Sequence, residues 1–271
     1  MTDAAMRTRG GSAGGDIGPS RARLSPTSVG VIGVALTATL ALVVWSFSPG
    51  AKYLSHRAGG NHPSGVAMIA WFSLAWLLMT IATMLPTALP LVTAFRRISA
   101  GRRRVGQLIV ALIAGFLCVW LLAGIALSGV DLFVHRAAES EALRERAWVI
   151  LAVTLAGAGG YQLSSLAGRC LHACRTPMGF LARHWSGGQR ARTQSWNIGV
   201  DYGVSCIGCC AALMVVMFAV GMANPLWMVL LGAVSGLHKL APHGRALAVV
   251  TGWVLLACAA FVVVRHTTGT G

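Results

Sequence analysis

Long apolar runs alternate with short, Arg-rich polar segments along nearly the whole chain. A helix needs about 20 mostly apolar residues to cross the hydrocarbon of a bilayer. Seven runs approach that length, at about 29–48, 66–95, 105–129, 147–166, 203–222, 225–240 and 248–265. The pattern predicts an all-α, polytopic transmembrane helix bundle of about seven spans, or six if the short run 225–240 does not cross.

Proline marks two interruptions in this pattern. Pro86 and Pro90 lie near the end of the long second run, and we expect that helix to kink or to leave the membrane there. The fifth and sixth runs are joined by Ala223-Asn224-Pro225, which predicts a tight helical hairpin.

The remaining segments complete the domain organisation. Residues 1–28 are rich in Gly, Ser and Arg and predict a disordered, basic cytoplasmic tail, followed by a retained anchor rather than a cleaved signal peptide. Residues 29–265 then form a single transmembrane domain. Within it, 167–200 is predicted to be a cytoplasmic loop with an amphipathic helix, and 266–271 forms a short tail.

The composition supports a membrane location. Charged residues make up 11% of the chain and hydrophobic residues 56%, whereas a soluble domain carries about 25% charged residues. Of the 22 Lys and Arg residues, 16 lie in segments on one side of the predicted spans and 6 on the other. This bias predicts the N-terminus inside and the C-terminus outside. The net charge of +15 therefore reflects topology, and we expect the lipid bilayer, not nucleic acid, as partner.

Several functional classes lack support in the sequence. The apolar runs carry no acidic or basic residue away from their ends, which argues against a proton-driven pump. Nucleotide-binding motifs are absent as well, and the Gly-rich stretch 157–160 and the Gly232–Gly236 pair are typical of close helix packing. We expect a protein that is not an enzyme.

Sulfur is concentrated at the start of the fifth run. Cys206, Cys209 and Cys210 stand at helical spacing i, i+3 and i+4 and share one helix face, and Met214 and Met217 continue it. Thiolates and thioethers select Cu(I), whereas zinc needs a closed tetrahedral set whose fourth ligand is not evident here. Plain packing is the alternative for the two methionines and, less readily, for the cysteines. The preceding aspartate, at 201, is predicted to cap the helix.

A second cysteine pair, Cys170 and Cys174, lies in the preceding loop segment. If this segment is helical, both thiols share an apolar face, the flanking Arg169 and Arg175 point outward, and Pro177 ends the helix. The pair is then either part of a metal or redox site or the buried face of an interfacial helix.

Two methionines of the second run extend the hypothesis. Met79 and Met84 lie just ahead of Pro86, where this run approaches the cytoplasmic side. Both are therefore at a depth at which they could approach the cysteine end of the fifth run. Cys118 and Cys258, inside apolar runs, are expected to act as small hydrophobes.

Three blocks of sequence resemble a known bacterial family. They are AWLLMTIATMLPTALPL (75–91), GYQLSSLAGRCLHACRTPMGFLARHW (160–185) and YGVSCIGCCAALMVVMFAVGMANPLWM (202–228). The family is known as predicted metal-binding integral membrane proteins, also labelled copper chaperone. The resemblance implies a multi-pass protein of the bacterial inner membrane that binds metal through Cys170, Cys174, Cys206, Cys209 and Cys210. One departure is visible, because the family often has Glu-Lys where this chain has His238-Lys239.

Three functions remain open at this point. The first is binding or relay of a soft metal ion, Cu(I) before zinc, with a copper-handling or other membrane protein as partner. The second is a membrane thiol oxidoreductase in which the cysteine pairs exchange electrons, although a cytoplasmic location keeps thiols reduced. The third is a structural or assembly partner of another membrane protein, in which the thiols only pack.

Overall fold

The computed structural model describes residues 26–46, 65–138, 147–188, 190–220 and 225–269. The predicted tail up to residue 25, most of the polar segment 131–146 and the turn at 221–224 lie outside these residues or in side chains that are not described. The helices are α1 (Pro26–Ser46), α2 (Gly65–Thr83), α3 (Leu89–Ile98), α4 (Val105–Ala138), α5 (Ala147–Leu163), α6 (Ser165–Arg175), α7 (Pro177–His184), α8 (Ala191–Val220), α9 (Pro225–Leu240) and α10 (Gly244–Thr267). Every regular element in the described ranges is helical, as predicted.

Within the described ranges, three helical segments are long and apolar enough to cross a membrane on their own: Val105–Leu127, Ala191–Met217 and Gly244–Thr267. Two bent pairs of helices also qualify if each pair is counted as one span, which gives up to five. The predicted number of seven and the predicted orientation of the termini stay predictions.

The predicted break in the second run is confirmed. Helix α2 ends at Thr83, a short 3₁₀ turn occupies Pro86–Ala88, and α3 follows at Leu89. The two halves are bent by 46°. Proline removes a backbone donor and crowds the preceding turn, so the helix cannot continue straight through this point.

The fourth run ends earlier than predicted. Helix α5 stops at Leu163, and α6 departs from it at an angle of 59°. Ser164 causes the break, because its hydroxyl accepts a hydrogen bond from the Ala167 amide at 3.2 Å and caps α6. Pro177 then opens α7 directly after α6, as the sequence predicts.

The fifth run begins much earlier than its hydropathy indicates. Helix α8 starts at Ala191, so the prediction that Asp201 caps a helix is wrong. Asp201 instead lies inside α8 with its carboxylate 3.6 Å from the His184 imidazole, at an exposed position. The first turns of α8 bury Ser195 and Ile198 while exposing polar neighbours, and a hydropathy window does not recognise such an amphipathic start.

Glycines bring α8 close to α4. A methyl group at Gly199 would collide with the Leu112 carbonyl, and one at Gly115 would collide with the Trp196 carbonyl. The two backbones therefore touch with no side chain between them, as in small-residue packing of membrane helices. Of the Gly-rich stretch 157–160, Gly159 makes a similar approach to α10, whereas Gly157 and Gly160 face open space.

Candidate metal centre

Four helical segments meet around the face of α8 that carries the cysteines. They are α8 itself, α6, the broken α2–α3 segment and the last turn of α9. The buried thiols here, which we call the thiol cluster, are Cys174, Cys206, Cys209 and Cys210. They share one hydrophobic core with Met79, Met84 and Met217.

The three cysteines of α8 lie on one face, as their spacing predicts. The thiols of Cys209 and Cys210 both donate to the Cys206 carbonyl, with sulfur–oxygen distances of 3.1 and 3.0 Å. This carbonyl orients two of the three sulfurs around a single turn. The local helix geometry therefore places the three thiols side by side before any other element contributes.

Helix α6 adds a fourth thiol from a distant part of the sequence. The sulfurs of Cys174 and Cys209 are 3.7 Å apart, and each residue is only 4% exposed. The Tyr202 hydroxyl donates to the Cys174 carbonyl at 3.3 Å and holds α6 against α8. Two thiolates that bind one metal at about 2.3 Å lie about 3.7–4.6 Å apart, from tetrahedral to linear geometry. The Cys174–Cys209 separation lies at the tetrahedral end of this range, and a wider S–metal–S angle would need the two sulfurs to move apart by less than about 1 Å.

Cys170 lies one turn away and is only partly buried. Its sulfur packs over Gly208, where a methyl group would lie 2.5 Å from it. The Tyr161 hydroxyl donates to the Gly208 carbonyl at 2.7 Å and braces the same contact from α5. The predicted shared face of Cys170 and Cys174 therefore packs on the bundle, while His172 is exposed on another face.

The structure corrects the position of Lys239, which sequence reasoning counted among the cytoplasmic loop charges. Lys239 lies in the last turn of α9 and is 5% exposed. Its ammonium nitrogen is 3.0 Å from the Cys206 sulfur, 3.4 Å from the Met84 sulfur and 3.4 Å from the Thr87 hydroxyl. The only signal in the sequence was its place at the end of an apolar run.

Arg175 fixes the backbone beside Lys239. One guanidinium nitrogen donates to the carbonyls of His238 and Lys239 at 2.8 and 3.4 Å, and another donates to the Pro242 carbonyl at 2.9 Å. The prediction that this arginine points outward is therefore wrong. The last carbonyls of a helix have no partner within the helix, and the guanidinium of α6 satisfies those of α9.

His238 is buried but does not face the thiols. One ring nitrogen is 3.4 Å from the Gln162 amide nitrogen, and the other is 3.0 Å from the Thr251 hydroxyl. Both nitrogens are thus engaged in a polar bridge between α5, α9 and α10. His238 therefore joins three helices and does not take part in the thiol cluster.

Four methionines continue the sulfur surface beyond the thiol cluster. Met79, Met84, Met214 and Met217 line one cavity of about 10 Å³, together with Thr83, Leu213, Leu231 and Gly232. We call it the methionine cavity; its size is about the lower limit for one water molecule. The hypothesis that Met79 and Met84 approach the fifth run agrees with this placement. Met84 faces both the cavity and the Lys239 ammonium.

The arrangement suits a soft ion of low coordination number better than a closed zinc site. Within the described residues, no three His, Cys, Asp or Glu side chains converge as a ready-made ligand set. Structural zinc needs four such ligands in a tetrahedron, whereas Cu(I) accepts fewer and takes thioethers as well. Cys174 and Cys209 form a close thiol pair, and Met214 and Met217 continue the face of α8 that carries Cys209.

Comparison with known proteins gives one match. A family model described as copper chaperone matches residues 73–262, which include all cysteines of the thiol cluster, Lys239 and the methionine cavity. No curated protein and no solved structure matches the chain. The matched region covers well over half of the sequence and extends from within α2 to near the end of α10. The chain therefore belongs to the copper chaperone family.

Proposed function

We propose that this protein binds Cu(I) at the thiol cluster and passes it to the methionine cavity within the helical bundle. The observation that carries the proposal is the 3.7 Å separation of the Cys174 and Cys209 sulfurs, contributed by two helices that are far apart in sequence. Soft sulfur ligands bind Cu(I) in preference to hard cations. The function is thus binding and transfer of a metal ion and not catalysis.

The roles of the sulfur ligands follow from their burial. Cys170 is partly exposed and is the first thiol that an incoming ion meets. Cys174 and Cys209 are buried and hold the ion as a pair, with Cys206 and Cys210 buried beside them. Met84 lies between this cluster and the cavity lined by Met79, Met214 and Met217. Copper would move from thiolates, which bind it tightly, towards thioethers, which carry no charge.

The charge bias of the sequence predicts which side of the membrane each segment faces, and the family resemblance implies a bacterial inner membrane. With the basic segments inside, α8 begins on the cytoplasmic side, and the thiol cluster lies near the middle of this helix, deeper than the sequence predicts. The partner that supplies or receives copper would be another copper-handling protein at that membrane. The ion, rather than a resident cofactor, is the cargo.

A redox function has less support from the geometry. Thiol–disulfide exchange requires that a substrate disulfide reach an attacking thiolate. Cys174 and Cys209 are each 4% exposed, so a protein substrate has no access to them. A small metal ion does not meet this barrier.

The test is the metal content of the full chain purified in detergent from cells grown with added copper or, in parallel, added zinc. The variant Cys174→Ser/Cys206→Ser/Cys209→Ser is compared with wild type. Cys118→Ser/Cys258→Ser serves as the matched control, because these two thiols lie outside the cluster. Stoichiometric copper in wild type and control, lost in the triple variant, is the expected result. Equal trace copper in all three would overturn the proposal and favour a packing role for the thiols in an assembly partner.

A further inference from the structure

The Lys239 side chain has an unusual environment for a buried ammonium. An ammonium group has three donors and no acceptor, and Lys239 finds three acceptors in Cys206, Met84 and Thr87. The Thr87 hydroxyl donates its own hydrogen to the Met84 carbonyl at 2.8 Å, so that its lone pairs remain available to the ammonium. The pocket is therefore built to receive a cation at this point.

The charge of this cation is not balanced by a carboxylate in the described structure. The one acidic residue whose side chain is described is Asp201, which lies on an exposed face of α8 near His184. Burying an unpaired charge is very unfavourable. The Cys206 sulfur, at 3.0 Å, is the nearest group that can carry a compensating negative charge.

We propose that Lys239 is the fixed counter-charge of the thiol cluster and makes it select monovalent over divalent metal ions. The inference rests on the proposed function. Two thiolates and one Cu(I) carry a net charge of −1, which the ammonium cancels. Two thiolates and one Zn(II) are already neutral, so the ammonium leaves a buried net charge of +1. In apolar surroundings the net charge of the zinc-bound site is unfavourable, whereas the copper-bound site is neutral.

The backbone that carries Lys239 is held by contacts outside the thiol cluster. Arg175 donates to the carbonyls of His238 and Lys239 and thereby anchors the end of α9. From this anchored turn the ammonium reaches the Cys206 sulfur at 3.0 Å. Lys239 is in this view a specificity-determining residue and not a ligand, since an ammonium has no lone pair to offer.

The experiment measures the Kd values of Cu(I) and Zn(II) for the detergent-purified full chain under anaerobic conditions, by competition with a chromogenic chelator of each ion. Lys239→Gln and Lys239→Met remove the charge, and Lys239→Arg keeps it. We expect the preference for Cu(I) over Zn(II) to fall about tenfold or more in both neutral variants. The free energy that corresponds to a tenfold change is only a small part of the repulsion between two unit charges in close contact. In Lys239→Arg the preference should stay within about threefold of wild type.

The outcomes separate this inference from the function on which it rests. A folded neutral variant with the wild-type preference, or with both affinities weakened equally, would overturn the counter-charge role and indicate a merely structural lysine. If neither neutral variant folds, a wild type that binds Zn(II) as tightly as Cu(I) would still overturn it. A wild type that binds neither ion would overturn the proposed function itself.

Discussion

The thiol cluster and the methionine cavity lie on the same face of α8 but are held in different ways. The thiol cluster is tied by hydrogen bonds to the Cys206 carbonyl and faces the Lys239 ammonium, whose backbone the Arg175 guanidinium anchors. The described lining of the methionine cavity is uncharged, and apolar packing dominates it. Met84 lies at the boundary between them. The two regions form one surface of soft ligands but differ in charge. Thiolates can neutralise the charge of a bound cation, whereas the uncharged thioethers of the methionine cavity cannot.

Removing the central thiol pair should have the largest effect. In Cys174→Ser/Cys209→Ser, we expect Cu(I) affinity to fall about a hundredfold or more, because hydroxyl groups are poor ligands for a soft ion. Chelator competition measures this loss. Met79→Leu/Met214→Leu is the comparison variant at the other end, and an equal loss in it would erase the distinction between the two regions.

The second-largest effect is expected from removing the Arg175 guanidinium, which should lower the stability of the fold around the thiol cluster. Arg175→Ala frees two carbonyls in the last turn of α9 and the Pro242 carbonyl just after it, and we expect it to destabilise the folded protein by about 2–4 kcal/mol. Arg175→Lys keeps the charge but not the planar fork and should fall in between. Circular dichroism during unfolding in detergent measures the stabilities of wild type, Arg175→Lys and Arg175→Ala, which should decrease in that order. An unchanged midpoint in Arg175→Ala would contradict the anchoring role.

The tight contact at Gly208 distinguishes the thiol end by packing. In Gly208→Ala the new methyl group lies 2.5 Å from the Cys170 sulfur, and we expect a loss of stability of about 1–2 kcal/mol. Cys170→Ala in the same chain should restore part of it, as a double-mutant cycle would reveal. Gly157→Ala is the matched control, because Gly157 faces open space, and it should be neutral or stabilising.

The smallest effect on stability is expected in the methionine cavity. Met79→Leu/Met214→Leu/Met217→Leu conserves volume, and each change should alter stability by less than about 1.5 kcal/mol. The triple variant leaves Met84 and the ammonium pocket intact. A calorimetric titration with Cu(I) should then retain the first bound ion and lose any further one. Loss of the first ion would show that the cavity, not the thiol cluster, binds it.

Local rules were sufficient for much of the fold and for part of the site. The breaks at Pro86 and Pro177 and the shared face of Cys206, Cys209 and Cys210 agree with the structure. Each depends on residues within one or two turns, where proline sterics and helical periodicity decide the outcome. The predicted start of α8 was wrong, because the amphipathic first segment of this helix resembles a loop in a hydropathy window. Asp201 was misread for the same reason.

The sequence alone therefore determined that the chain is a set of apolar helices with soft ligands on one face. Only the tertiary structure decided which partners those ligands meet. The Cys174–Cys209 pair, the Lys239 ammonium beside Cys206 and the four-methionine cavity each join residues from different helices. Their contacts arise from helix crossings that depend on glycine backbones and on the 59° bend after Ser164. Such crossings are long-range properties, and neither spacing nor composition along one helix encodes them.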